Sequence, residues 1–183
     1  MKALLFPIML IAACGLALSF AVHCMSLTGV IALDRKLIWG LGIGVFIVWV
    51  PTVILASEMT KHANRKDFWK IALAGCPLWM QRGFKVIFGY AILNFVLFAA
   101  ATIGQPKVKS ETISAAEVRG FSGHLMIFYG VAFMVLYSRI HAPQLYRERK
   151  CPKGHSSAPA ARFCSECGHD FSREPGDASV SSE

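Results

Sequence analysis

Four residues near the end of the chain have the types and spacing that metal coordination needs: Cys151, His155, Cys164 and Cys167, in the pattern C-x3-H-x8-C-x2-C. Three thiolates and one imidazole complete the tetrahedral shell of a structural Zn2+ ion. The two residues between Cys164 and Cys167 let both sulfurs face one ion, and Gly168 allows the tight backbone turn that follows. The 17 residues from 151 to 167 hold almost no apolar side chain beyond Phe163, so a metal has to supply the folding free energy that a core supplies elsewhere. Because protein ligands fill all four positions, the expected site is structural and has no open position for catalysis. His169 is the substitute ligand should His155 not serve.

Two further histidines, His23 and His124, lie within apolar runs, where an ionisable group is a functional hypothesis by default. In the topology argued below both fall toward the outer side. Two imidazoles on neighbouring helices could hold haem or a metal ion, so a small redox membrane protein is the alternative reading. The plainer one hydrogen-bonds each ring to backbone or water. Asn94 reads as an interhelical hydrogen bond, and Cys14, Cys24 and Cys76 as small packing residues. No P-loop, HExxH, Ser-His-Asp set or paired carboxylate occurs. No Asp or Glu lies inside an apolar run to relay protons, which weakens a pump or ion-coupled transporter. A non-enzymatic role is therefore expected.

The elements that must carry these residues are mostly apolar. Of 183 residues, 55% are hydrophobic and only 16% charged, where a soluble domain carries about a quarter. Four runs are long enough, or nearly so, to cross a hydrocarbon core as helices. The expected fold class is an all-α integral membrane protein with four transmembrane helices plus a small C-terminal zinc ribbon of short β-knuckles. The domains are 1–142 for the helices (about 3–33, 37–57, 86–105 and 115–141), 143–150 for a basic linker, 151–169 for the zinc ribbon and 170–183 for a disordered tail. Residues 58–83 are too charged to cross and too apolar for a loop in water. They suit an amphipathic interfacial stretch with Trp69 and Trp79 at headgroup depth, or a short re-entrant or helix-extending linker.

Lys2 and the run after it also resemble a signal peptide, and "IAACG" resembles a lipobox that would leave Cys14 lipidated. The apolar sequence continues unbroken past that point, which favours a retained helix. Basic residues set the orientation. Lys2, Lys61, Arg65, Lys66, Lys70, Arg82, Lys85, Arg139, Arg147, Arg149 and Lys150 lie on one side, against Arg35, Lys36, Lys107, Lys109 and Arg119 on the other. The positive-inside rule places both termini and the central loop in the cytoplasm of a multi-pass protein. Ser114 and Glu117 have capping-box spacing ahead of the fourth helix, and Gly40 and Gly44 have the GxxxG spacing of close helix contacts.

"CPKGH" followed by "RFCSECG" resembles the short zinc-ribbon modules that hang from many prokaryotic proteins, with His155 as the second ligand in place of a cysteine and one residue later than in the common four-cysteine form. The segments "KDFWKIALAGCPLWM", "ILNFVLF" and "GFSGHLMIFYG" are similar to those of small bacterial four-helix membrane proteins that carry this same tail. The resemblance implies the architecture and a bacterial inner-membrane location, and no chemistry. The function expected is that of a membrane-anchored zinc ribbon that binds a cytoplasmic partner. Glu148, Glu166 and Asp170 dilute the basic face of Lys153 and Arg162, so protein is favoured over nucleic acid.

Overall fold

The structure is a computed structural model and describes residues 2–29, 35–61, 64–103, 115–159 and 161–171. It contains four long helices, α1 (Lys2–Leu27), α2 (Arg35–Thr60), α4 (Leu78–Thr102) and α5 (Ala115–His141), with a short α3 (Phe68–Ala72) after a 3-10 turn at Arg65–Asp67. All four long helices are long and apolar enough to cross a membrane. The chain divides into two compact units, Met1–His141 and Ala142–Glu183.

In the first unit α5 is the central helix: 67% of its most apolar window is buried, against 6% for α4. It packs on α1, α2 and α4. The α1 surface turned inward is a stripe at helical spacing: Met9, Ala12, Ser19, Val22, His23 and Ser26. Ala12, Ser19 and Ser26 are small, so the backbones of α1 and α5 can approach closely there. Cys14 and Cys24 fall on the exposed side of α1, away from this contact. The helix runs unbroken through "IAACG".

A single aromatic ring fixes three helices. Tyr129 of α5 is buried, and its hydroxyl donates to the Leu41 carbonyl on α2 at 2.8 Å. Any Cβ at Gly15 on α1 would overlap the ring, and one at Gly44 on α2 would overlap the hydroxyl. The GxxxG pair therefore divides: Gly44 makes room for Tyr129, while Gly40 faces open space. On the other flank of α5, a Cβ at Gly130 would stand 2.8 Å from the Phe84 ring of α4, and one at Gly120 would stand 3.0 Å from Phe98.

Several helix limits differ from the apolar runs. The first helix ends at Leu27, where Thr28 bonds back to Met25 and Gly29 takes a positive φ of 72°. The helix after the central loop begins at Leu78, eight residues before the run at 86. Pro77 (φ −56°, ψ 148°) starts it, its carbonyl accepting from the amides of Met80 and Gln81. The Gln81 side chain reaches back to the carbonyls of Leu73 and Cys76. Arg82 and Lys85 thus belong to the first turns of α4, and the helical part of the interfacial stretch shrinks to α3, where Trp69 is exposed. The turn before Pro77 is docked on α5: Gly75 N–H donates to Ser138 Oγ and the Cys76 thiol to the Met134 carbonyl. Cys76 packs there with Met80 and Met134, and burial pushes its thiol up to about 11, so it is an inert packing residue. Glu117 lies in the first turn of α5. Ser114, Lys107 and Lys109 lie outside the described residues.

The second unit opens with a 3-10 turn at Pro143–Tyr146 and a two-stranded antiparallel ribbon, β1 (Arg149–Lys150) and β2 (Ser156–Ser157), in register Arg149↔Ser157 and Lys150↔Ser156. A second hairpin-like turn is closed by a bridge between Phe163 and Asp170. Ordered structure therefore runs two residues past 169: Phe171 is fully buried, whereas Phe163 is half exposed. The remainder of the expected disordered tail, 172–183, lies outside the described residues.

Candidate metal centre

Two tight turns carry the four candidate ligands, and both obey the same local logic. In the first, Gly154 N–H donates to the Cys151 carbonyl at 2.8 Å and Cys151 N–H to the His155 carbonyl at 3.1 Å. In the second, Gly168 N–H donates to the Cys164 carbonyl at 2.9 Å and Cys164 N–H to the His169 carbonyl at 2.8 Å. Gly154 and Gly168 have φ of 85° and 70°, a conformation that a side chain resists. The turns differ by one residue. The second places a cysteine three positions after its first cysteine and glycine next, whereas the first places Gly154 there and its ligand one position later.

These turns bring Cys151, His155, Cys164 and Cys167 together, with their ligand atoms all within 4.8 Å of one another. Cys167 Sγ lies 3.5 Å from Cys151 Sγ, and His155 Nδ1 lies 3.9 Å from Cys164 Sγ. With bonds of about 2.3 Å to sulfur, a tetrahedral site has ligand-to-ligand edges of about 3.8 Å, so the group is close to coordination size. It could hold a metal ion, and its three sulfurs and one imidazole are a donor set compatible with zinc. The group lies against the Phe171 ring, which shares a small core with Cys151, Cys164 and Cys167. Arg149 lies over the Phe171 ring at 5.8 Å and Arg162 over Phe163 at 5.2 Å.

Electrostatics within the group are uneven. The backbone N–H of Glu166, helped by that of Cys167, holds the Cys164 thiol down to about 6 against the opposing effect of burial. At Cys167 the His169 backbone N–H favours the thiolate, but burial and the neighbouring sulfurs of Cys151 and Cys164 outweigh it and the thiol is raised. Crowded sulfurs resist ionising together, and a divalent cation among them removes that resistance.

His169 stands outside the group, its ring edge-on to Phe171. Glu166, counted in the sequence only as a surface charge, lies with its carboxylate 3.4 Å from His155 Nε2. Its position between Cys164 and Cys167 was the available signal. Phe171 was hidden by its place two residues beyond "CGH", at the start of polar sequence.

His23 and His124 take separate partners. The buried His23 ring has Nδ1 2.8 Å from Ser122 Oγ and Nε2 2.8 Å from the Tyr90 hydroxyl, with Asn94 Nδ2 at 3.4 Å. Asn94 thus joins an interhelical polar cluster. His124 is only partly buried; its Nδ1 bonds the Gly120 carbonyl at 2.9 Å, and its ring lies against Phe95. For His23 to ligate an iron, it would have to give up one of its side-chain partners. Among the described residues, neither histidine belongs to a group of three or more candidate metal ligands.

Searches against known proteins found no matching family model, no matching curated protein and no matching solved structure.

Proposed function

We propose that this chain is a non-enzymatic membrane protein whose four helices anchor a structural zinc module at the cytoplasmic surface of a bacterial inner membrane, where the module binds a protein partner. The observation that carries this reading is the convergence of Cys151, His155, Cys164 and Cys167 around a small buried cluster to which Phe171 adds its ring. Four protein ligands leave a zinc ion no open coordination position, which supports a structural role over a catalytic one. Orientation rests on the excess of Lys and Arg on the side of the central loop and the C-terminal unit. Protein is favoured over nucleic acid because acidic residues interrupt the basic face, and because Arg149 and Arg162 lie over aromatic rings of their own unit.

Metal analysis of the detergent-purified chain, with a visible spectrum, tests this. One zinc per chain, lost in Cys164→Ser/Cys167→Ser, and a colourless preparation from haem-replete cells are expected. Iron with a Soret band that survives in that variant and disappears in His23→Ala or His124→Ala would move the function into the helices. Steeply salt-dependent binding to RNA or DNA would replace the protein partner with nucleic acid.

A further inference from the structure

His155 offers two nitrogens, and they have different surroundings. Nδ1, the nitrogen nearer the backbone, is the one turned toward the sulfurs, 3.9 Å from Cys164 Sγ. Nε2 faces away and lies 3.4 Å from Glu166 Oε2. Glu166 belongs to the opposite turn, between Cys164 and Cys167, and its own backbone N–H serves the Cys164 sulfur. One residue therefore touches a ligand of each turn: the main chain on a thiolate, the side chain on the imidazole. A histidine that ligates a metal generally donates its other N–H to a carboxylate, carbonyl or water, which fixes the tautomer and the ring plane. The first turn has particular need of this support, because its ligand stands one position later than the second cysteine of the other turn, and an imidazole can rotate where a thiolate on a short arm cannot.

We propose that Glu166 is the positioning residue of the metal centre: its carboxylate accepts a hydrogen bond from His155 Nε2–H, fixes the ring as an Nδ1 ligand and clamps the two turns together. This rests on the metal reading above.

The test uses the full chain in detergent and Zn2+ itself, in competition with a chromophoric chelator. Glu166→Ala is expected to weaken zinc binding by about 10- to 100-fold. Glu166→Gln keeps an acceptor oxygen and is expected to stay within about threefold of wild type. The deciding comparison repeats Glu166→Ala in a His155→Cys background, where no imidazole remains to position and the substitution should leave affinity unchanged. Two-bond proton–nitrogen spectra of the zinc-loaded, imidazole-labelled protein should show metal on Nδ1 and a proton on Nε2. Equal losses in both backgrounds, an unchanged affinity in Glu166→Ala, or coordination through Nε2 would overturn the role of Glu166 while leaving the metal centre intact. A wild-type chain that takes up no zinc would overturn both.

Discussion

Replacing Phe171 by alanine should weaken zinc binding although the residue is no ligand and stands four positions beyond the last one. Its side chain is fully buried against Cys151 and Cys164. Truncating a buried phenylalanine costs about 3–5 kcal/mol, and the lower end applies in a unit this small, whose turns can partly close the gap. Where metal binding and folding are one equilibrium, that cost appears in the affinity, and about 3 kcal/mol corresponds to about 100-fold. Phe163 supplies the control. It is 50% exposed, so its truncation forfeits about half of a full burial, about 1 kcal/mol or fivefold. Each ring carries one arginine, at 5.8 and 5.2 Å, so the cation–π contributions nearly cancel in the comparison. Chelator competition on the two variants, with far-ultraviolet dichroism to show the long helices unchanged, measures the difference. The reasoning fails if Phe163→Ala is the more damaging of the two, or if Phe171→Ala weakens zinc binding by less than about tenfold.

Gly15→Ala is expected to destabilise the helical unit, because the new Cβ meets the ring of the buried Tyr129, which is tied to Leu41 and cannot swing away. Overpacking of about 3 kcal/mol exceeds the gain of about 1 kcal/mol in helix propensity, for a net loss of about 2 kcal/mol. Gly42→Ala faces open space and should be neutral or stabilising by up to about 1 kcal/mol; denaturation in mixed detergent micelles separates the two. His23→Ala removes hydrogen bonds to Ser122 and Tyr90 and should cost about 2 kcal/mol, whereas Tyr90→Phe removes one and should cost about 0.6 kcal/mol in the same assay. No measurable loss from either would show that the hydrogen bonds on His23 do not hold the helices.

What could be seen in the sequence followed how local the physics was. Cysteine spacing and the glycine after Cys167 are properties of a few consecutive residues, so the four candidate ligands could be placed without coordinates. Four membrane-length helices were likewise readable from composition, since apolar runs of this length need no partner to be noticed. Other features depended on residues far apart in the chain. Tyr129 looks like any aromatic until Gly15 and Gly44 are brought beside it. His23 could be flagged as costly, but its partners on α4 and α5 are 67 and 99 residues away. The start of α4 lies ahead of the apolar run at 86 because Pro77 and the Gln81 side chain set the boundary, and the helix takes Arg82 and Lys85 into its first turns. Phe171 failed for a composition reason: one apolar residue among polar neighbours carries no periodic signal.

The seat of Tyr129 bears on how this bundle could transmit a signal. Helices can relay information by shifts of about 1–2 Å or by ratchets of one full turn, about 5.4 Å. A one-turn slip of α5 along α1 would carry the ring from Gly15 to Ile11 or Ser19, both of which bear side chains, and would strand the hydroxyl away from the Leu41 carbonyl. The vacated notch would receive Leu125 or Phe133, neither of which can donate to that carbonyl. The seat of Tyr129 therefore closes a one-turn ratchet to α5 and leaves it a single register along α1.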